Sequence, residues 1–152
     1  IHGGGKIGVM VRAESPAGAI PEILAAAKDC ALQVAAMNPP YLKREDVPAA
    51  VLDEEKKIIL AQMAEDPKMA NKPEQVKEKI AAGKVGKYYG ENCLLEQAFV
   101  KENKETVQSY VDGVAKAAGT TIAITDFVRF ERGEGIEKKA DNFAEEIASM
   151  IK

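Results

Sequence analysis

An α+β architecture is what this sequence predicts: a small antiparallel sheet packed with helices, a protruding antiparallel helical hairpin of coiled-coil type, and a C-terminal helix. Three observations carry the expectation. Short β-rich runs stand near residues 6–12 and 122–130, each bounded by turn residues. Apolar side chains recur at helical spacing over residues 20–37 and again after residue 106, the mark of buried helix faces. The middle of the chain is charged and carries only thin apolar stripes, whereas a helix packed inside a globule has a wider one.

The first run, Lys6-Ile7-Gly8-Val9-Met10-Val11-Arg12, is opened by three glycines and closed by Ser15 and Pro16, so it reads as a strand entered from a tight turn. Over residues 20–37 the stripe is Ile20, Ile23, Leu24, Ala27, Ala31 and Val34. Asn38-Pro39-Pro40 stops that helix, because proline cannot extend it and pushes the residue before it out of the helical region. Helices are expected over residues 47–65 and 73–89, with Pro48 and Pro73 at first-turn positions where a missing N–H costs nothing. Leu52, Ile59 and Met63 fall at coiled-coil-like spacing on the first, facing Val76, Ile80 and Tyr88 on the second. A further helix spans residues 106–118 and ends at Gly119. In the late strand Ile122, Ile124, Val128 and Phe130 share one face of a period-two pattern, Asp126 interrupts that face, and Phe127 points the other way. The turn Gly133-Glu134-Gly135 ends it. The last segment places Ala140, Phe143, Ala144, Ile147 and Ile151 on one side of a terminal helix, a face that either docks on its own body or is offered to a partner.

Composition narrows the functional classes. The 152 residues carry 24 acidic and 21 basic side chains for a net charge of −3, and an acidic chain with no Lys/Arg run argues against nucleic acid as the direct partner. No apolar run approaches the roughly 18 residues of a membrane helix. Ile1 in place of an initiator Met reads as a processed product or a fragment. Cys30 and Cys93 form neither a metal cluster nor a dense disulfide framework, and one His with scattered carboxylates offers no ligand spacing. Neither a metal nor a cofactor is expected.

Gly3-Gly4-Gly5-Lys6-Ile7-Gly8 fits the letters of a dinucleotide-binding loop, but such a loop follows a strand and opens a helix, and this one opens a strand. His2-Gly3-Gly4-Gly5 imitates an esterase oxyanion loop. With His2 the only histidine and no serine in an elbow pattern, no triad can be assembled. A tight turn needing positive φ is the plainer use of these glycines.

The letters go further than the patterns. Tyr41-Leu42-Lys43-Arg44-Glu45-Asp46-Val47-Pro48, then Lys87-Tyr88-Tyr89 with Leu94-Leu95-Glu96-Gln97-Ala98-Phe99-Val100, and finally Arg129-Phe130-Glu131-Arg132-Gly133-Glu134-Gly135-Ile136-Glu137-Lys138 closely resemble the elongation factor Ts family in content, order and spacing. The resemblance covers nearly the whole chain and is weakest around residues 111–121. It implies a non-enzymatic guanine-nucleotide exchange factor for elongation factor Tu, working in the bacterial cytoplasm or an organellar matrix or stroma. Such a factor favours the nucleotide-poor GTPase by differential affinity. Family architecture would make residues 1–46 and 94–135 one α+β half of the core, residues 47–93 an inserted coiled-coil hairpin, and residues 136–152 a C-terminal module. The competing expectation is a structural fragment that self-associates through that hairpin and has no exchange activity of its own. By the same carry-over His2, Gly3, Phe143, Ile147 and Met150 face the partner. Thr125-Asp126-Phe127-Val128 spells the family's working Thr-Asp-Phe-Val, but that motif belongs to the first core half, upstream of His2. Asp126 and Phe127 are therefore expected to be strand residues, and this chain to be a docking portion.

Overall fold

The computed structural model describes residues 1–136. The segment expected to form the terminal helix, with the positions Phe143, Ile147 and Met150, lies outside the described residues. In chain order the elements are β1 (Ile7–Glu14), α1 (Pro21–Met37), α2 (Ala49–Glu65), α3 (Pro67–Ala70), α4 (Glu74–Asn92), β2 (Ala98–Phe99), β3 (Glu102–Thr106), α5 (Val107–Ala117) and β4 (Ala123–Glu131), with single 3-10 turns at Arg44–Asp46 and Leu94–Glu96. The architecture is α+β, and its strands pair as two antiparallel ribbons, β1 with β4 and β2 with β3.

Local chemistry explains most boundaries. Pro21 occupies the first turn of α1, and Asn38 ends the helix in the left-handed region at φ 45, its N–H donating to the Val34 carbonyl at 2.9 Å. The Asp66 carboxylate accepts the Lys68 N–H at 2.9 Å, capping α3. Thr106 Oγ1 accepts the Ser109 N–H at 3.1 Å and caps α5. Val107, Val111 and Ala115 then recur every fourth residue and are all buried.

The main core lies between the inner face of the β1–β4 ribbon and helices α1 and α5. Ile23, Ala26, Cys30, Val34, Leu94, Phe99, Val107, Val111, Ala115, Ile122 and Ile124 are its buried members. The stripe of α1 is rotated relative to the expected one: Ala26 and Cys30 are fully buried, whereas Leu24 is 56% exposed. The helix meets α5 as well as the ribbon, and a second neighbour widens and turns the face that must be covered.

The late strand corrects the period-two expectation. Arg12 pairs with Asp126 but Ala13 pairs with Ile124, so Thr125 is an extra residue in β4. Such a bulge reverses the alternation beyond it. Ile122 and Ile124 face the core before it, Phe127 packs on the core after it, and Val128 and Phe130 are turned outward, Phe130 being 61% exposed. Asp126 and Phe127 are thus positions of the paired strand, and Asp126 Oδ1 accepts the adjacent Phe127 N–H at 2.8 Å.

The β2–β3 ribbon is absent from the sequence reading because β3 is Glu-Asn-Lys-Glu-Thr and has no apolar alternation. Its pairing partner supplies the burial, through Phe99 at 3% exposure.

Candidate functional site

Among the described residues, two regions hold the site positions singled out from the sequence. At one end of the β1–β4 ribbon, His2 and Ile7 exchange backbone hydrogen bonds of 2.8 and 3.2 Å around the turn Gly3-Gly4-Gly5. Their φ values of 61, 64 and 85 lie in the left-handed region that glycine enters without strain. The turn therefore presents His2 and Gly3 at the surface. Beside it, Ile1, His2 and Val9 face Lys28, Ala31, Leu32 and Ala35 of α1 across a recess of about 110 Å³. Next along the ribbon Gly8 pairs with Phe130 and Met10 with Val128. Met10 at 64%, Val128 at 36% and Phe130 at 61% make its outer face an exposed apolar strip.

The second region is the α2–α4 pair. Ile59 and Met63 are buried with Ala81, and Leu60, Met69, Ile80 and Val85 pack against them. Val76 stands 38% exposed: Met69 of α3 packs on the end of this cluster, and Val76, in the first turn of α4, is left on the solvent side. Leu52 and Tyr88 are half-buried and lie outside the cluster. Tyr88 and Ile59 line a shallow recess with Glu55, Gln62, Lys84, Lys87 and Glu91. The periodicity pointed to larger side chains and so missed Ala81, which allows the two helices to approach.

The base of this pair is held by polar contacts. Arg44 holds Glu96 through two nitrogens, Nε at 3.1 Å, with its guanidinium 4.7 Å from the centre of the Tyr89 ring. Tyr41 N–H donates to the Asn92 carbonyl at 3.2 Å, and Leu94 N–H to the Tyr41 carbonyl at 2.9 Å. In the core, Asp29 accepts from the Tyr110 hydroxyl at 2.7 Å and pairs with Lys101, while the Tyr110 ring stacks on Phe99 at 4.2 Å. Burial, followed by the hydrogen bond to Asp29, pushes the Tyr110 hydroxyl well above the usual phenol range.

These groups are arranged for cohesion rather than for bond chemistry. Burial, and then Asp29, pushes the Cys30 thiol up to about 12; burial, and then Glu96, pushes Cys93 up to about 11. At neutral pH both are protonated and inert as nucleophiles. Among the described residues no group of three or more His, Cys, Asp or Glu is placed to hold a metal ion, and no helix is long and apolar enough to cross a membrane.

The motifs that converge on the hairpin base and on the ribbon also mark kinship. The sequence model of the family described as Elongation factor TS matches residues 1–134. A protein named elongation factor Ts from Clostridium kluyveri is 48% identical over 152 residues, covering 99% of this chain and 48% of that protein. The one from Syntrophotalea carbinolica is 44% identical over 152 residues, covering 100% and 49%. That from Clostridium botulinum strain Alaska E43 is 45% identical over 155 residues, covering 99% and 48%. The chain spans about half the length of the curated relatives it matches. With a family match across all but the last 18 of its 152 residues, and with the hairpin base and the end of β4 built from the very motifs that carry the resemblance, this chain belongs to the elongation factor Ts family.

Proposed function

We propose that this chain is the docking portion of a guanine-nucleotide exchange factor for elongation factor Tu, acting in translation elongation by binding and without making or breaking a covalent bond. The observation that carries the reading is the end of the β1–β4 ribbon. There an exposed His2-Gly3 turn stands beside an apolar strip of Met10, Val128 and Phe130, a surface suited to a protein partner. Residues 136–152 form a second contact through Phe143, Ile147 and Met150. Residues 1–46 and 94–135 act as the core half, and residues 47–93 as its inserted hairpin. The bacterial cytoplasm, or an organellar matrix or stroma, is the setting this reading fits.

Exchange by such a factor is a linkage effect. A protein that binds the nucleotide-poor GTPase more tightly than the GDP-bound one weakens GDP by the same factor. Tight binding with no such difference shifts nothing. The test is release of a fluorescent GDP analogue from elongation factor Tu, with a binding titration on the same samples. Saturable binding without faster release is the expected result, and His2→Ala and Phe130→Ser weaken it. Absence of a complex at high micromolar concentration refutes the docking role, while accelerated release refutes the restriction to docking.

A second reading, self-association through the hairpin, is favoured by Ile58 and Val76, which are 43% and 38% exposed on its helices. Sedimentation of the chain beside an Ile58→Lys, Val76→Glu variant tests it. An identical monomer mass for both refutes it.

A further inference from the structure

The apolar residues of the core and of the hairpin form two separate clusters. Val47 and Cys93, buried at the junction, belong to neither. Two buried apolar side chains thus fill the junction itself, and beside them a chain of polar bonds crosses it. Gln33 and Gln97 are the buried polar residues among the described ones, at 0% and 1% exposure. Gln33 Oε1 accepts the Val100 N–H at 2.9 Å, and Gln33 Nε2 donates to the Ala98 carbonyl at 3.0 Å and to Gln97 Oε1 at 3.1 Å. Gln97 Nε2 then donates to the Glu91 carbonyl at 2.9 Å.

That last bond gives the chain its direction. Glu91 lies in the final turn of α4, where a helix leaves its carbonyls without intrahelical partners. The N–H four residues on, that of Leu95, donates instead to the Leu42 carbonyl at 3.1 Å. Gln97 thus caps α4 from inside the core, and Gln33 on α1 holds Gln97 in place. On the outer side the Arg44–Glu96 pair, with Arg44 against Tyr89, braces the same turn. The motif at residues 41–48, far from the other two in sequence, meets those at 87–89 and 94–100 at this joint.

We propose that Gln97 and Gln33, seconded by Arg44, are positioning residues that set the direction in which the hairpin leaves the body. A buried polar network with every member satisfied favours one arrangement, because each alternative strands a polar group away from water. The lever is long. The 19 residues of α4 extend about 28 Å at 1.5 Å per residue, so a 10° swing at the base moves the far end by about 5 Å. The inference goes beyond the docking reading and stands whether or not a GTPase binds.

The experiment is a pulsed electron–electron distance measurement on the 152-residue chain, with spin labels at Lys72→Cys near the hairpin tip and Lys116→Cys on α5. Both positions are exposed, whereas Cys30 and Cys93 are fully buried, so labelling goes to the introduced thiols. The parent gives one narrow distance. Gln97→Met, which keeps the length and removes the amide, shifts or broadens it by about 5 Å at a temperature well below its melting point, with helical content by circular dichroism retained. A folded Gln97→Met that melts earlier but keeps the narrow distance overturns the proposal, since the amide would then be a core hydrogen bond and nothing more. If Gln97→Met does not fold, Arg44→Met decides. Arg44 is at the surface, and broadening on its removal supports the joint while an unchanged distribution overturns it.

Discussion

Met63→Ala tests whether the hairpin is held by its own small cluster. Met63 is 2% exposed in α2, and among the described residues its buried companions are Ile59 and Ala81. Burying a side chain the size of Met or Ile contributes about 1.5–3 kcal/mol, so Ile59 and Met63 together contribute about 3–6 kcal/mol. Truncating a buried Met to Ala costs about 2–5 kcal/mol, which is most of that sum. The core has eleven buried members of its own among the described residues and loses none of them. The expected outcome is local opening of the hairpin with the body intact. Native-state hydrogen exchange reads it directly: protection of amides in α2 and α4 falls by about 30-fold or more, the equivalent of 2 kcal/mol, while α1 and α5 change by no more than a few-fold. If α1 and α5 lose protection in step with the hairpin, body and hairpin unfold as one unit, and the two-cluster reasoning is wrong.

Three other outcomes follow from the same geometry. Phe127→Ala, on the core side of the bulge, costs about 3 kcal/mol, whereas Phe130→Ala, on the outer face, changes stability by less than about 0.5 kcal/mol; urea titrations giving the reverse order would refute the reversed alternation at Thr125. Thr106→Ala removes the acceptor for the Ser109 N–H and lowers stability by about 1 kcal/mol, with Thr106→Ser restoring most of it; equal melting of all three proteins would show the cap to be idle. Alkaline pH destabilises the fold through Cys30, whose pKa is raised by folding from 9.0 to about 12. The stabilisation is complete below pH 9 and declines as pH rises toward 12, because the unfolded thiol ionises first, at about 1.4 kcal/mol per pH unit. Cys30→Ala is less stable at pH 8 but has a shallower decline between pH 9 and 11 in thermal melts. Parallel declines in the two proteins would exclude the thiol as the cause.

The candidate site was legible in unequal parts. The turn after His2 stood out because three consecutive glycines before a strand demand a special conformation, and it forms with all three at positive φ; His2 and Gly3 as partner-facing residues came only from the family resemblance. Ile59, Met63 and Ile80 stood out by spacing. Ala81 and Val85 did not, because a small residue in a charged helix gives no apolar signal until its partner helix is placed against it. Gln33 carried no signal, and Gln97 appeared only as one letter of the family motif with no role attached: a glutamine inside a helix or a loop reads as solvated until tertiary structure removes the water around it.

By itself the sequence determined what neighbouring residues dictate: the stop of α1 at Asn38, the glycine turn, two charged helices with a thin seam, and the family. The tertiary structure decided everything that depends on residues distant in the chain. Thr125 becomes a bulge only because β4 must register with β1, more than a hundred residues earlier, and that register turns Phe127 inward and Phe130 outward. The polar segment Glu102–Thr106 becomes a strand only because Ala98 and Phe99 pair with it. The hairpin base closes only when Gln33, Gln97 and the end of α4 meet. Caps and periodicity are short-range preferences recorded in adjacent letters, whereas register, desolvation and the sharing of hydrogen bonds are properties of surfaces that exist only once the chain has folded.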